Sequence, residues 1–104
     1  MKNSASLESC AQEMKSRGFD AHTWSNGPHF AYPVHDHPYD KLILVLEGSI
    51  RFDMPRDGTS HPMSAGDRLA IPAHTPHSAF VGAQGVTCLE GQQARENASR
   101  RVRE

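Results

Sequence analysis

Apolar positions recur in two rhythms along this chain. In residues 6–17, SLESCAQEMKSR, Leu7, Cys10, Ala11 and Met14 follow the i, i+3, i+4, i+7 spacing of a helix with one apolar stripe. Ser6 suits the start of that helix and Gly18 its end. So narrow a stripe predicts a short helix packed on the outside of whatever follows. After Phe19 the rhythm shortens to brief segments punctuated by Gly, Pro, Asn and Asp. Strands are predicted at Ala21–Trp24, Phe30–His37, Lys41–Leu46, Ser49–Met54, Thr59–Met63, Arg68–Ile71, His77–Val81 and Val86–Glu90. Pro55-Arg56-Asp57-Gly58 reads as a hairpin turn, and Ala65-Gly66-Asp67 and Gly82–Gly85 as further turns. About eight short strands at this spacing predict an antiparallel sandwich or barrel in one domain, residues 1–104, with the barrel over about 20–91. The tail 92–104, QQARENASRRVRE, has almost no large apolar residue and reads as solvated.

Histidines stand out against this frame. His35 and His37 are separated by one residue at the head of a strand-like run, so they point to the same face. Their Cβ atoms then lie roughly 6.6 Å apart, close enough for two imidazoles to meet at one ion. His77, on a later strand, is the third ligand. The spacing therefore predicts a three-histidine site for a divalent transition metal (Fe, Zn, Ni, Mn or Cu) inside the barrel. His74, three residues before His77, is either a surface turn residue or an additional ligand. His22, His29 and His61 lack a partner at ligand spacing and read as structural or exposed.

At these residues the chain resembles the cupins, in particular the small single-domain members of the RmlC-like cupin superfamily. The first cupin motif reads G-x5-H-x-H-x3,4-E-x6-G, and His35, His37 and Gly48 match it. The second reads G-x5-P-x-G-x2-H-x3-N, and Gly66, Pro72 and His77 match it. The resemblance covers roughly residues 25–91 and implies a double-stranded β-helix, or jelly roll, with a short N-terminal α-helix. It also implies a homodimer. Lys41 stands where the family has its glutamate, His74 where it has a glycine, and Val81 where it has an asparagine.

The lysine changes the picture. If His35 and His37 face inward, then Tyr39, Lys41, Ile43 and Val45 do too. A cation ~4 Å from a divalent ion is repelled by several kcal/mol at an effective dielectric of ~20. Lys41 must therefore swing away, pair with a local carboxylate such as Asp40 or Glu47, or lose its proton. Three neutral imidazoles without a carboxylate still hold a divalent metal, as in the three-histidine cupin dioxygenases that this set resembles. Two function classes stay open. One is a dioxygenase-type enzyme on a small organic substrate, with Lys41 contacting it. The other is a non-catalytic module that binds or senses a metabolite or metal. Leu42, Leu44 and Leu46, opposite in parity to the histidine face, suit a covered outer surface.

Composition narrows the setting. Eleven Lys and Arg against twelve Asp and Glu give a net charge of −1, which supplies no electrostatic case for nucleic acid. The longest apolar run, Leu42–Leu46, is too short for a membrane span, and no signal-peptide pattern opens the chain. Cys10 and Cys88 are too few for a disulfide scaffold and read as reduced, packed thiols of a cytoplasmic protein. Trp24, Phe30, Tyr39, Phe52 and Phe80 divide between core and the lining of a small-molecule pocket.

Overall fold

Two long strands organise the protein, and each serves two half-sheets. The computed structural model describes residues 2–94, with side chains from residue 8 onward. It contains α1 (Lys2–Ser16), β1 (Asp20–Asn26), β2 (Ala31–His35), β3 (Tyr39–Met54), β4 (Thr59–Ser64), β5 (Arg68–Ile71) and β6 (His77–Ala94). All pairings are antiparallel. β3 and β6 pair along nearly their whole length, from Tyr39↔Ala94 to Asp53↔Ser78. In one half-sheet the order is β2, the start of β6, the end of β3, then β4. In the other it is β1, the end of β6, the start of β3, then β5. The expected all-β architecture with one helix is therefore present.

The long strands correct the expectation of eight. Lys41–Leu46 and Ser49–Met54 form one strand, and His77–Val81 and Val86–Glu90 form another, so Gly82–Gly85 is not a turn. Instead the β3–β6 register shifts between Val45 and Glu47 and again between Gly48 and Ile50. Such irregularities bend a strand without ending it. Gly48, at φ 76°, lies so close to β6 that a Cβ there would meet the Gly85 carbonyl oxygen at 2.0 Å. Only a glycine permits both the conformation and the contact.

Inner-facing side chains from both halves form one core. Ile43, Val45, Ile71, Val86 and Cys88 from one half pack with Ile50, Phe52, Met54, Met63, Ala79 and Val81 from the other. The outer face of the β1/β5 half is covered by α1, where Cys10 and Met14 meet Leu44 and Leu89. That helix also begins earlier than the expected residue 6. Of the leucines at 42, 44 and 46, Leu44 is buried with the helix, and Leu42 and Leu46 are partly buried against the same cluster. Burial of Met14 and its leucine partners contributes about 1.5–3 kcal/mol per side chain. Cys10 and Cys88 are both free and buried, and burial pushes the Cys88 thiol up to about 12. Gln92–Ala94 of the expected tail belong to β6, and 95–104 lie outside the described residues. No helix among the described residues is long and apolar enough to cross a membrane.

Candidate metal centre and ligand cavity

Three elements bring the histidines together. His35 ends β2, His77 opens β6 directly opposite it, and His37 sits in the β2–β3 connection. The pairing His35↔His77 follows a register shift after Tyr32. One ligand atom from each of the three residues lies within 4.8 Å of the others. Ring centroids are 4.6 Å apart for His35 and His77, 4.7 Å for His35 and His37, and 5.4 Å for His37 and His77. His77 is buried; His35 and His37 are partly buried.

In two of the rings a hydrogen bond settles which nitrogen carries the proton. His35 Nδ1 lies 2.7 Å from the Pro33 carbonyl oxygen, and His77 Nδ1 lies 2.8 Å from that of Thr75. A carbonyl can only accept, so each Nδ1 carries the proton and each Nε2 keeps its lone pair. Nε2 of His37 and of His77 are buried with no hydrogen-bond partner. Two orphaned buried ring nitrogens in one small cluster are costly unless something binds them. Burial foremost, then the nearby Lys41, His35 and His77, lowers the pKa of His37 to about 4. Burial also lowers that of His77, against the opposing effect of its bond to Thr75. Both rings are thus neutral at pH 7, the state a metal requires. The residues present fit a divalent transition metal.

These histidines open into a cavity of about 250 Å³ lined by Trp24, Tyr32, Tyr39, Lys41, Phe52, Ala79 and Glu90 besides themselves. Lys41 points inward, as its parity requires. Its partner is neither Asp40 nor Glu47 but Glu90, with Nζ 3.4 Å from Oε1. Both side chains are largely buried, at 11% and 6% exposure. Glu90 also accepts hydrogen bonds from Trp24 Nε1 at 2.9 Å and Gln92 Nε2 at 2.8 Å. Asp40 faces away from the histidines and accepts from the Ala73 backbone N–H at 2.8 Å. Tyr39, two residues before Lys41 on β3, stacks on His37 at 4.9 Å, and Asn26 donates to the Tyr32 hydroxyl.

His74 is exposed and stands outside the three-nitrogen cluster. Its contribution is through the backbone: its N–H donates to the His37 carbonyl at 2.7 Å, tying the β5–β6 loop to the loop that carries His37. It adopts φ 61°, a left-handed conformation that suits glycine, at the position where the second motif has one. His22 and His29 are exposed and His61 bonds Thr59, all away from the cavity. Of the aromatics, Trp24, Tyr39 and Phe52 line the cavity, whereas Phe30 and Phe80 are exposed. Glu90 is the site residue that the sequence reading missed. Its signal was present in the alternation Val86, Cys88, Glu90, which carries an acid onto an inner face.

A family model described as "Cupin domain" matches residues 23–92. Among solved structures, the chain is similar to the DMSP lyase DddQ from Ruegeria pomeroyi (TM-score 0.68, 20% identity), over 75% of this chain and 39% of that one. It is similar to the polyketide cyclase RemF from Streptomyces resistomycificus (TM-score 0.63, 28% identity), over 71% of this chain and 54% of that one. An RmlC-like cupin from Shewanella frigidimarina aligns with TM-score 0.62 and 25% identity, over 78% of this chain and 71% of that one. The chain thus spans less than two thirds of the lyase and of the cyclase. No curated protein matches it. Its two histidine motifs, its antiparallel sheet and the family model across residues 23–92 agree, and the chain belongs to the cupin family.

Proposed function

We propose that this chain is a metal-binding cupin, with dioxygenase-type chemistry on a small organic substrate as its activity. The observation that carries the reading is the pair of buried, partnerless Nε2 atoms on His37 and His77. Beside them, His35 keeps its Nδ1 proton on a backbone carbonyl and leaves its Nε2 lone pair available. In this reading His35, His37 and His77 are the ligands. When bound, the metal supplies Lewis-acid and oxygen-activating chemistry. The carbonyls of Pro33 and Thr75 orient two of the rings, an outer-shell restraint that fixes tautomer and direction. Trp24, Tyr32 and Phe52 give the cavity aromatic walls, and in this reading Lys41 contacts the substrate.

One observation favours the alternative, a non-catalytic metabolite- or metal-binding module. The Lys41–Glu90 pair puts a neutralised charge where the family carries its glutamate. We place the protein in the cytoplasm as a homodimer. With α1 over Leu44, Phe30, Val34 and Phe80 are the exposed large apolar side chains among the described residues, and in this reading they meet a second copy.

Elemental analysis of protein purified without added metal tests the central claim, followed by calorimetric titration with Zn²⁺ and Fe²⁺. About one metal per chain is expected, as three ligands for one ion imply. Binding is to be lost in the His35→Ala/His77→Ala variant. Metal-free protein that takes up neither ion would refute it.

A further inference from the structure

The cavity lining combines two chemically different groups. One is the cluster of three imidazoles. The other is Lys41 with Glu90, which the Trp24 indole and the Gln92 amide also hold, and the charge of Lys41 acts on both His37 and His77. Trp24, Tyr32 and Phe52 supply aromatic surface to the same lining.

Charge decides what such a cavity takes. Imidazoles bind metal as neutral ligands, so a divalent ion there brings positive charge that its ligands do not offset. Lys41 and Glu90 offset only each other. Glu90 is the only carboxylate among the lining residues, and the Lys41 ammonium and two N–H donors already engage it. The ammonium of Lys41 has three N–H donors and meets Glu90 as an ion pair at 3.4 Å, so donors remain for a ligand. Asp36 acts on His77 from outside the lining, and the rest of the balancing negative charge comes with the ligand. The volume of about 250 Å³ equals roughly eight water molecules, which sets a compact size.

Resting on the metal reading above, we infer that the cavity takes a small organic carboxylate, oriented by the Lys41 ammonium. Glu90, held by Trp24 and Gln92, is the internal carboxylate with which the ligand competes for that ammonium. A carboxylate with an apolar or aromatic body matches the charged group and the aromatic surface of the lining together. A cationic ligand would have to displace Lys41 from Glu90 and add to the charge of the ion.

Trp24 is the only tryptophan in the chain and lines the cavity, so its fluorescence reports occupancy. The full chain loaded with Zn²⁺ is titrated with benzoate, benzamide and benzylamine, and then with acetate and acetamide, whose small bodies remove any steric objection. In each pair the carboxylate should bind at least tenfold more tightly than the amide, with benzylamine weakest. Glu90→Gln frees the ammonium and should raise carboxylate affinity several-fold. Lys41→Met/Glu90→Gln, which leaves no unpaired buried charge, should lose most of the carboxylate preference while Zn²⁺ affinity stays within threefold. Equal binding of carboxylate and amide would overturn the inference. So would a preference that survives in the double variant, which would then belong to the ion alone, or tighter binding of benzylamine. Failure to bind Zn²⁺ at all would remove the metal reading and this inference with it. Zn²⁺ binding without carboxylate preference would remove this inference alone.

Discussion

Acidification of the metal-free protein should destabilise it in a window that the site histidines define. In an unfolded chain His37 titrates at its ordinary 6.5, whereas in the folded protein burial and Lys41 hold it at about 4. Between those values the unfolded chain binds a proton that the folded chain refuses, so stability falls as pH falls. With these two values, going from neutrality to pH 5 removes about 2 kcal/mol through His37 alone. Solvent screening at a partly buried ring makes that the upper end. His77, lowered by burial, acts with the same sign. Asp53 and Asp57 are also lowered, by bonds to Ser60 and Thr59 respectively, but their stabilisation is lost only as pH falls through the carboxylate range, below 3.8. The histidine window is therefore separate. Urea unfolding at pH 7 and pH 5 in a chelator, followed by Trp24 fluorescence, measures it. His37→Gln, which cannot take up the proton, should recover most of the loss at pH 5. Parallel pH profiles for wild type and His37→Gln would refute the reasoning, because the titrating group would then lie elsewhere.

Two stability predictions follow from contacts described above. Lys41→Met leaves the Glu90 carboxylate buried without its counter-charge and should cost about 3 kcal/mol, most of it recovered when Glu90→Gln is added. Equal urea midpoints for the single and double variants would show that the pair carries no buried charge. Gly48→Ala forces a Cβ to within 2.0 Å of the Gly85 carbonyl at φ 76° and should cost more than about 2 kcal/mol. A thermal melt should show that as a drop of about 10 °C, and an unchanged midpoint would mean that the β3–β6 crossing is looser than described.

Local patterning carried much of this protein. The stripe of Cys10, Ala11 and Met14 set the helix and its packing face, and strand parity placed Lys41, Ile43 and Val45 inward. The spacing of His35, His37 and His77 marked the cluster that the fold then assembles. What local pattern could not reveal was pairing between distant segments. Lys41 finds Glu90 rather than its neighbours Asp40 and Glu47 because β3 and β6 lie side by side, a contact of residues far apart in sequence. Likewise Gly48 and Gly82–Gly85 have the composition of turns, yet β3 and β6 pass through them as strands. Their glycines serve a bend and a close chain crossing, not a reversal.

Because β3 and β6 each run through both half-sheets, no chain boundary separates the histidine cluster from the lysine–glutamate pair. β6 carries His77 near its start and Glu90 near its end, and β3 carries Lys41 near its start and Phe52 near its end. Opening either group means breaking the ladder that holds the other. Amides flanking the histidines and amides flanking the lysine–glutamate pair should therefore exchange with solvent only through a shared, cooperative event. The histidine cluster and the lysine–glutamate pair should then behave as one unit of local stability, so that a substitution loosening one loosens both.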